Sequence, residues 1–96
     1  MIRVDGDRLL VSGAITFATV MAQRDDGLAL IAARDGGALV VDLGGVDESD
    51  SSAVSLLFEW QRAARSAGVD VRYANLPAGM RSLAELYDVL DLIAVA

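Results

Sequence analysis

Cysteine and histidine are absent from this chain, proline occurs once, and aromatic residues make up only 5%. Without cysteine there is no disulfide framework, no thiolate nucleophile and no zinc cluster. Without histidine the commonest general base and the commonest metal ligand are missing, which excludes hydrolysis by a Ser-His-Asp triad. No apolar run approaches the roughly 18 residues that cross a bilayer. Positive charge is also scarce: 8 basic residues face 14 acidic ones, a net charge of −6 that repels nucleic acid and anionic lipid. The start, Met1-Ile2-Arg3-Val4-Asp5-Gly6, has no apolar signal-type core and reads as a strand. These absences point away from an enzyme, a cofactor or a metal ion, and towards a cytoplasmic address.

What is present is 54% apolar residues in a length of 96, enough for one small domain (residues 1–96) around one core. Ile2 to Asp5 and Leu9 to Ile15 read as two strands around the turn Asp5-Gly6-Asp7. Thr16 is positioned to cap a helix from Phe17 to Arg34, with Asp25-Asp26-Gly27 predicting a bend or partial break in its middle. Ala38 to Leu43 is nearly all apolar, as expected of a strand covered on both faces. A glycine turn at Gly44-Gly45 then leads to a helix from Ser51 to Ala67, stopped by Gly68. Val69 to Ala74 alternates as a strand, and Pro77 starts a helix from Ala78 to about Tyr87, followed by a turn near Leu90 to Ile93. The fold class is therefore α/β in the order β-β-α-β-α-β-α, with crossover helices implying parallel later strands.

The segment joining the apolar strand to the helix after it holds most of the chemistry. Asp50, Ser51 and Ser52 stand where a helix begins, and there the backbone offers free N–H donors and partial positive charge. The same residue types are the favoured helix caps, and capping alone is the plainer reading of their spacing. At about 100° per residue, Ala53, Leu56, Leu57, Trp60, Ala63, Ala64 and Ala67 form a core face with Trp60 at its centre. Ser51, Ser55, Glu59, Arg62 and Ser66 gather opposite. Val54 and Phe58 flank that polar arc, so Ser51, Val54 and Phe58 form a predicted partner patch unless another part of the chain covers them. A phosphate on Ser51 would gain from the helix N-terminus but would sit beside Asp47, Glu48 and Asp50. Asp42 ends a strand as a lone cation candidate, and Gly44-Gly45 lacks the Lys-Ser/Thr of a phosphate loop. Tyr87 is expected in the core.

The element order and the residues Val41-Asp42-Leu43, Asp50-Ser51-Ser52-Ala53 and Leu56-Leu57 resemble the STAS domain of bacterial anti-sigma-factor antagonists. Val11 to Val20, Phe58-Glu59-Trp60-Gln61-Arg62-Ala63-Ala64 and Val71 to Ala78 narrow the resemblance to the MlaB type. It implies a STAS fold: a mixed sheet of four to five strands with helices mainly on one face. It also implies a non-catalytic subunit that binds and supports the MlaF-type ATPase of an Mla-type ABC phospholipid transporter maintaining outer-membrane lipid asymmetry. Such a subunit meets the permease only indirectly and lies peripheral to the inner membrane. Asp50, Ser51, Ser52, Val54, Ser55 and Phe58 would then lie at the partner interface. The alternative is an anti-sigma-factor antagonist switched by an anti-sigma kinase through phosphorylation of Ser51. Ala53 departs from the glycine usual at that place, which weakens the antagonist reading slightly.

Overall fold

A computed structural model describes residues 1–96. Alternation of apolar and polar residues builds the opening hairpin, in which β1 (Ile2–Asp5) pairs antiparallel with β2 (Arg8–Ile15) and Gly6, at φ 60°, makes the tight turn. Two crossovers follow. β3 (Gly37–Ser49) pairs parallel with β2, and β4 (Val69–Ala74) parallel with β3, giving a four-stranded sheet in the order β1-β2-β3-β4. In place of a fifth strand, Val95 makes a lone parallel bridge to Tyr73. Helices α1 (Val20–Ala32), α2 (Ser51–Ser66) and α3 (Ala78–Leu86) and a short 3₁₀ turn (Leu90–Leu92) complete the chain.

Alternate strand residues define the core. Leu9, Val11, Leu39, Val41, Leu43, Val69, Val71 and Tyr73 pack with Ile31 of α1, Leu56, Leu57 and Trp60 of α2, and Met80 and Ala84 of α3. The helices thus cover one face of the sheet. The other face carries Leu10, Val40 and Asp42, all half-buried, with Asp70 and Arg72 exposed, so β3 is not covered on both sides as its apolar run suggests. Tyr73 is buried. Its hydroxyl donates to Leu57 O at 2.7 Å, and burial pushes its pKa far above the ordinary tyrosine value.

Four sequence expectations are corrected. α1 starts at Val20 and not at Phe17, because Thr19 and Val20 N–H both bond Thr16 O (3.0 and 2.7 Å) and close a turn first. The expected break at Asp25-Asp26-Gly27 does not occur. Gly27 is buried in an unbroken helix, where a Cβ would overlap the Trp60 indole, and Trp60 Nε1 donates to Arg24 O at 3.3 Å. Gly44-Gly45 is not a turn either: β3 runs through it, with Gly45 opposite Ser12 in a pairing with register shifts. A Cβ at Gly45 would come within 2.9 Å of Val11 O, so only glycine lets the two backbones approach this closely. Finally, Tyr87 is 51% exposed. It follows the last residue of α3, and Asp88, at φ 57°, breaks the helical path immediately after it.

Candidate partner-docking surface

Asp50 is the N-cap of α2, with extended backbone (φ −127°, ψ −168°) and Oδ1 accepting from Ser52 N at 2.9 Å. Ser52 Oγ donates to the same oxygen, and Phe17 N donates to Oδ2 at 3.0 Å. One carboxylate thus caps α2 and fastens the turn before α1 to it. The Ser52 hydroxyl holds the Asp50 carboxyl below the usual carboxylate range; burial opposes it as the next largest effect, and the amides of Phe17 and Ser52 add to the lowering. The turn is braced a second way. Thr19 Oγ1 donates to Ala14 O at 2.8 Å and accepts from Thr16 N at 3.0 Å.

This bracing presents Phe17 outward, 77% exposed, on one wall of a groove of about 480 Å³. Val20, Met21 and Arg24 continue that wall, Ser51, Ser52 and Ser55 form the facing one, and Tyr87 closes an end. Met21 is 60% exposed. A phenylalanine, a methionine and a tyrosine, all open around one groove beside helix N-terminal hydroxyls, give it an apolar centre and a polar rim, the composition that protein-binding surfaces share. At the groove's margin Arg24 Nε meets Glu59 Oε1 at 2.6 Å and joins α1 to α2.

Of the six residues read from the sequence, Ser51, Ser52, Val54 and Ser55 line this groove, and Asp50 braces it from beneath. Val54 is 4% exposed, so it is floor and not projecting anchor. Phe58 stands apart. It is half-buried against the core and borders a separate hollow with Gln61, Arg62, Arg65 and Leu92. The C-terminal segment covers that edge of α2: Gln61 Nε2 donates to Leu92 O at 3.0 Å, and Ala94 N donates to Gln61 Oε1 at 2.9 Å. The exposed groove residues Phe17, Met21 and Tyr87 are not among the six. The Thr16-x-x-Thr19 spacing was the available signal for a hydroxyl-braced turn that turns Phe17 outward.

Asp42 has no oxygen free for a cation. Oδ1 accepts from Asn75 Nδ2 at 3.0 Å and Gly44 N at 2.8 Å, and Oδ2 from Arg8 Nη1 at 2.9 Å. The Asn75 amide first, then the Gly44 N–H and Arg8, hold its pKa below the ordinary carboxylate value. No three acidic side chains converge as a metal site would require, and no helix is long and apolar enough to cross a membrane.

In fold, the chain is similar to a chain of the Acinetobacter MlaFEDB complex in its ATP-bound Vtrans2 conformation, at TM-score 0.86 and 23% identity, covering 100% of this chain and 99% of that one. It is also similar to the anti-sigma factor antagonist SpoIIAA in its unphosphorylated form, at TM-score 0.73 and 14% identity over 100% and 86% of the two chains. The phosphorylated form of this Bacillus cell fate determinant gives TM-score 0.69 and 15% identity, over 100% and 89%. No curated protein sequence matches it. The family model for the Mlab, STAS domain matches residues 2–94. With nearly every residue inside that match, the chain belongs to the MlaB-type STAS-domain family.

Proposed function

We propose that this protein is a non-catalytic STAS subunit that docks on the ATPase of an Mla-type ABC phospholipid transporter and supports its activity. In that role it serves outer-membrane lipid asymmetry from the cytoplasmic side of the inner membrane and meets the permease only through the ATPase. The observation that carries the reading is the groove between α1 and α2, where Phe17, Met21 and Tyr87 stand exposed beside the hydroxyls of Ser51 and Ser55. An interaction subunit needs such a surface, while the lack of histidine and cysteine leaves little for chemistry. Binding the competent form of the ATPase more tightly than other forms shifts its population towards activity.

The test is co-purification with the cognate ATPase and measurement of its turnover with and without this chain. Paired Phe17→Asp and Met21→Asp substitutions should weaken binding by about 100-fold and abolish the gain in turnover, since central anchors carry most of an interface's energy. Undiminished binding by that double variant rules this groove out. A second reading, a phosphorylation-switched antagonist, is supported by the Ser51 position at the first turn of α2 and by the fold likeness to both forms of SpoIIAA. Labelling of Ser51 by an anti-sigma kinase with ATP would favour it over transport.

A further inference from the structure

β1 is the outermost strand of the sheet, whereas the far side of β4 is bridged by Val95. Ser12 N donates to Met1 O at 2.8 Å, and in an antiparallel pair this bonded state recurs at every second residue. Arg3 and Asp5 therefore spend their backbone groups on β2, and Ile2 and Val4 turn theirs outward. Side chains alternate the other way. Ile2 and Val4 lie on the helix-covered face opposite Val11 and Leu9, and Arg3 and Asp5 lie on the open face opposite Leu10 and Arg8. Val4 is 53% exposed. Neither Arg3 nor Asp5 takes part in any of the five ion pairs, and Arg8, across from Asp5, is held by Asp42 at 2.9 Å.

We infer that this edge pairs with the same edge of a second copy of the chain, antiparallel about a two-fold axis at Val4, to form a continuous eight-stranded sheet. Register follows from charge. With Val4 opposite Val4 of the second copy, the outward N–H and C=O groups of the two residues bond each other. Each Arg3 then lies directly opposite the other copy's Asp5. Shifting by two residues in one direction sets Arg3 against Arg3, and in the other Asp5 against Asp5. Shifting by one presents the helix-covered face of one sheet to the open face of the other. Only one arrangement is both hydrogen-bonded and charge-matched, and it is isologous, so it closes at two copies. A four-residue edge buries far less than the roughly 800 Å² per partner of a stable interface, so the dimer is weak and reversible. The docking groove contains no β1 residue, so the inference stands apart from the proposed function.

Sedimentation equilibrium of the full chain up to about 1 mM should show a reversible monomer–dimer equilibrium. Arg3→Asp and Asp5→Arg should each weaken it by about tenfold or more, by setting like charges opposite one another. Mixing the two variants in equal amounts should restore dimers, since each chain then meets its opposite. Both positions are exposed, and circular dichroism checks that the fold is kept. A wild type that stays monomeric, single variants that associate as the wild type does, or a mixture that stays monomeric each overturns the pairing.

Discussion

At Gly27 the absence of a side chain lets α1 pack directly on the Trp60 indole of α2. The 3.6-residue period placed Trp60 in the core, and it is 1% exposed. Helix propensity marked Gly27 as a weak spot instead, because the collision of an absent Cβ with a ring 33 residues away leaves no local trace in the sequence. Gly27→Ala improves helix propensity by about 1 kcal/mol. The buried indole cannot yield, and overpacking costs about 1–3 kcal/mol. The expected outcome is net destabilisation, read as a lower urea midpoint at unchanged slope. Asp42 and Asp50 give the acid response. Their hydrogen-bond donors hold both carboxyls below the ordinary aspartate value, so the folded state favours their ionised forms. Their stabilisation is complete above that value and is lost as pH falls through the depressed folded values. Melting temperature should therefore drop on acidification through the carboxylate range, and Asp42→Asn should flatten that fall.

Among the elements, α2 was legible to within one residue, ending at Ser66 and not Ala67, because a long amphipathic helix repeats its signal over four turns and opens on its own cap. Two positions depart from the predicted face: Ala67 is exposed at the C-cap, and Val54, read as flanking the polar arc, is buried. β3 was cut short in the sequence reading because adjacent glycines imitate a turn. The close approach to β2 that Gly45 permits depends on a parallel partner that local sequence cannot name. The segment before α1 was misplaced for a related reason, since Thr16 is a plausible cap until the hydroxyl of Thr19 and the carboxylate of Asp50 are both counted. Thr19→Val removes both bonds of that hydroxyl and should cost about 1–2 kcal/mol. The Phe17 amide should then exchange faster with solvent, and ATPase docking should weaken even though no groove side chain has changed. Full retention of docking would mean that the turn's bracing is irrelevant to the surface it presents.

For the molecule as a whole, the charge of −6 predicts a partner face rich in Arg or Lys and an association that weakens as salt rises. Titrating salt against ATPase binding checks this, and a flat response would mean the contact is essentially apolar. Ser51→Ala should retain most docking, whereas Ser51→Glu should reduce it by setting a longer, charged side chain in the groove that Phe17 and Met21 line, where it would have to be desolvated. The family was legible from short segments spread along the chain, and the sheet order confirmed the fold they implied. The exposed side chains around the groove were not, because Phe17, Met21 and Tyr87 come from two separate stretches and line one hollow only after folding.

The seating of the chain's one tryptophan against Gly27 also makes a built-in optical gauge. Shielded from water, its native emission will lie to the blue and shift red when the α1–α2 seam opens. It therefore follows unfolding without any attached dye. Since it belongs to the buried seam and not to the groove wall, a bound ATPase should leave its colour almost unchanged, so that a shift on mixing would betray loosening of the helices themselves.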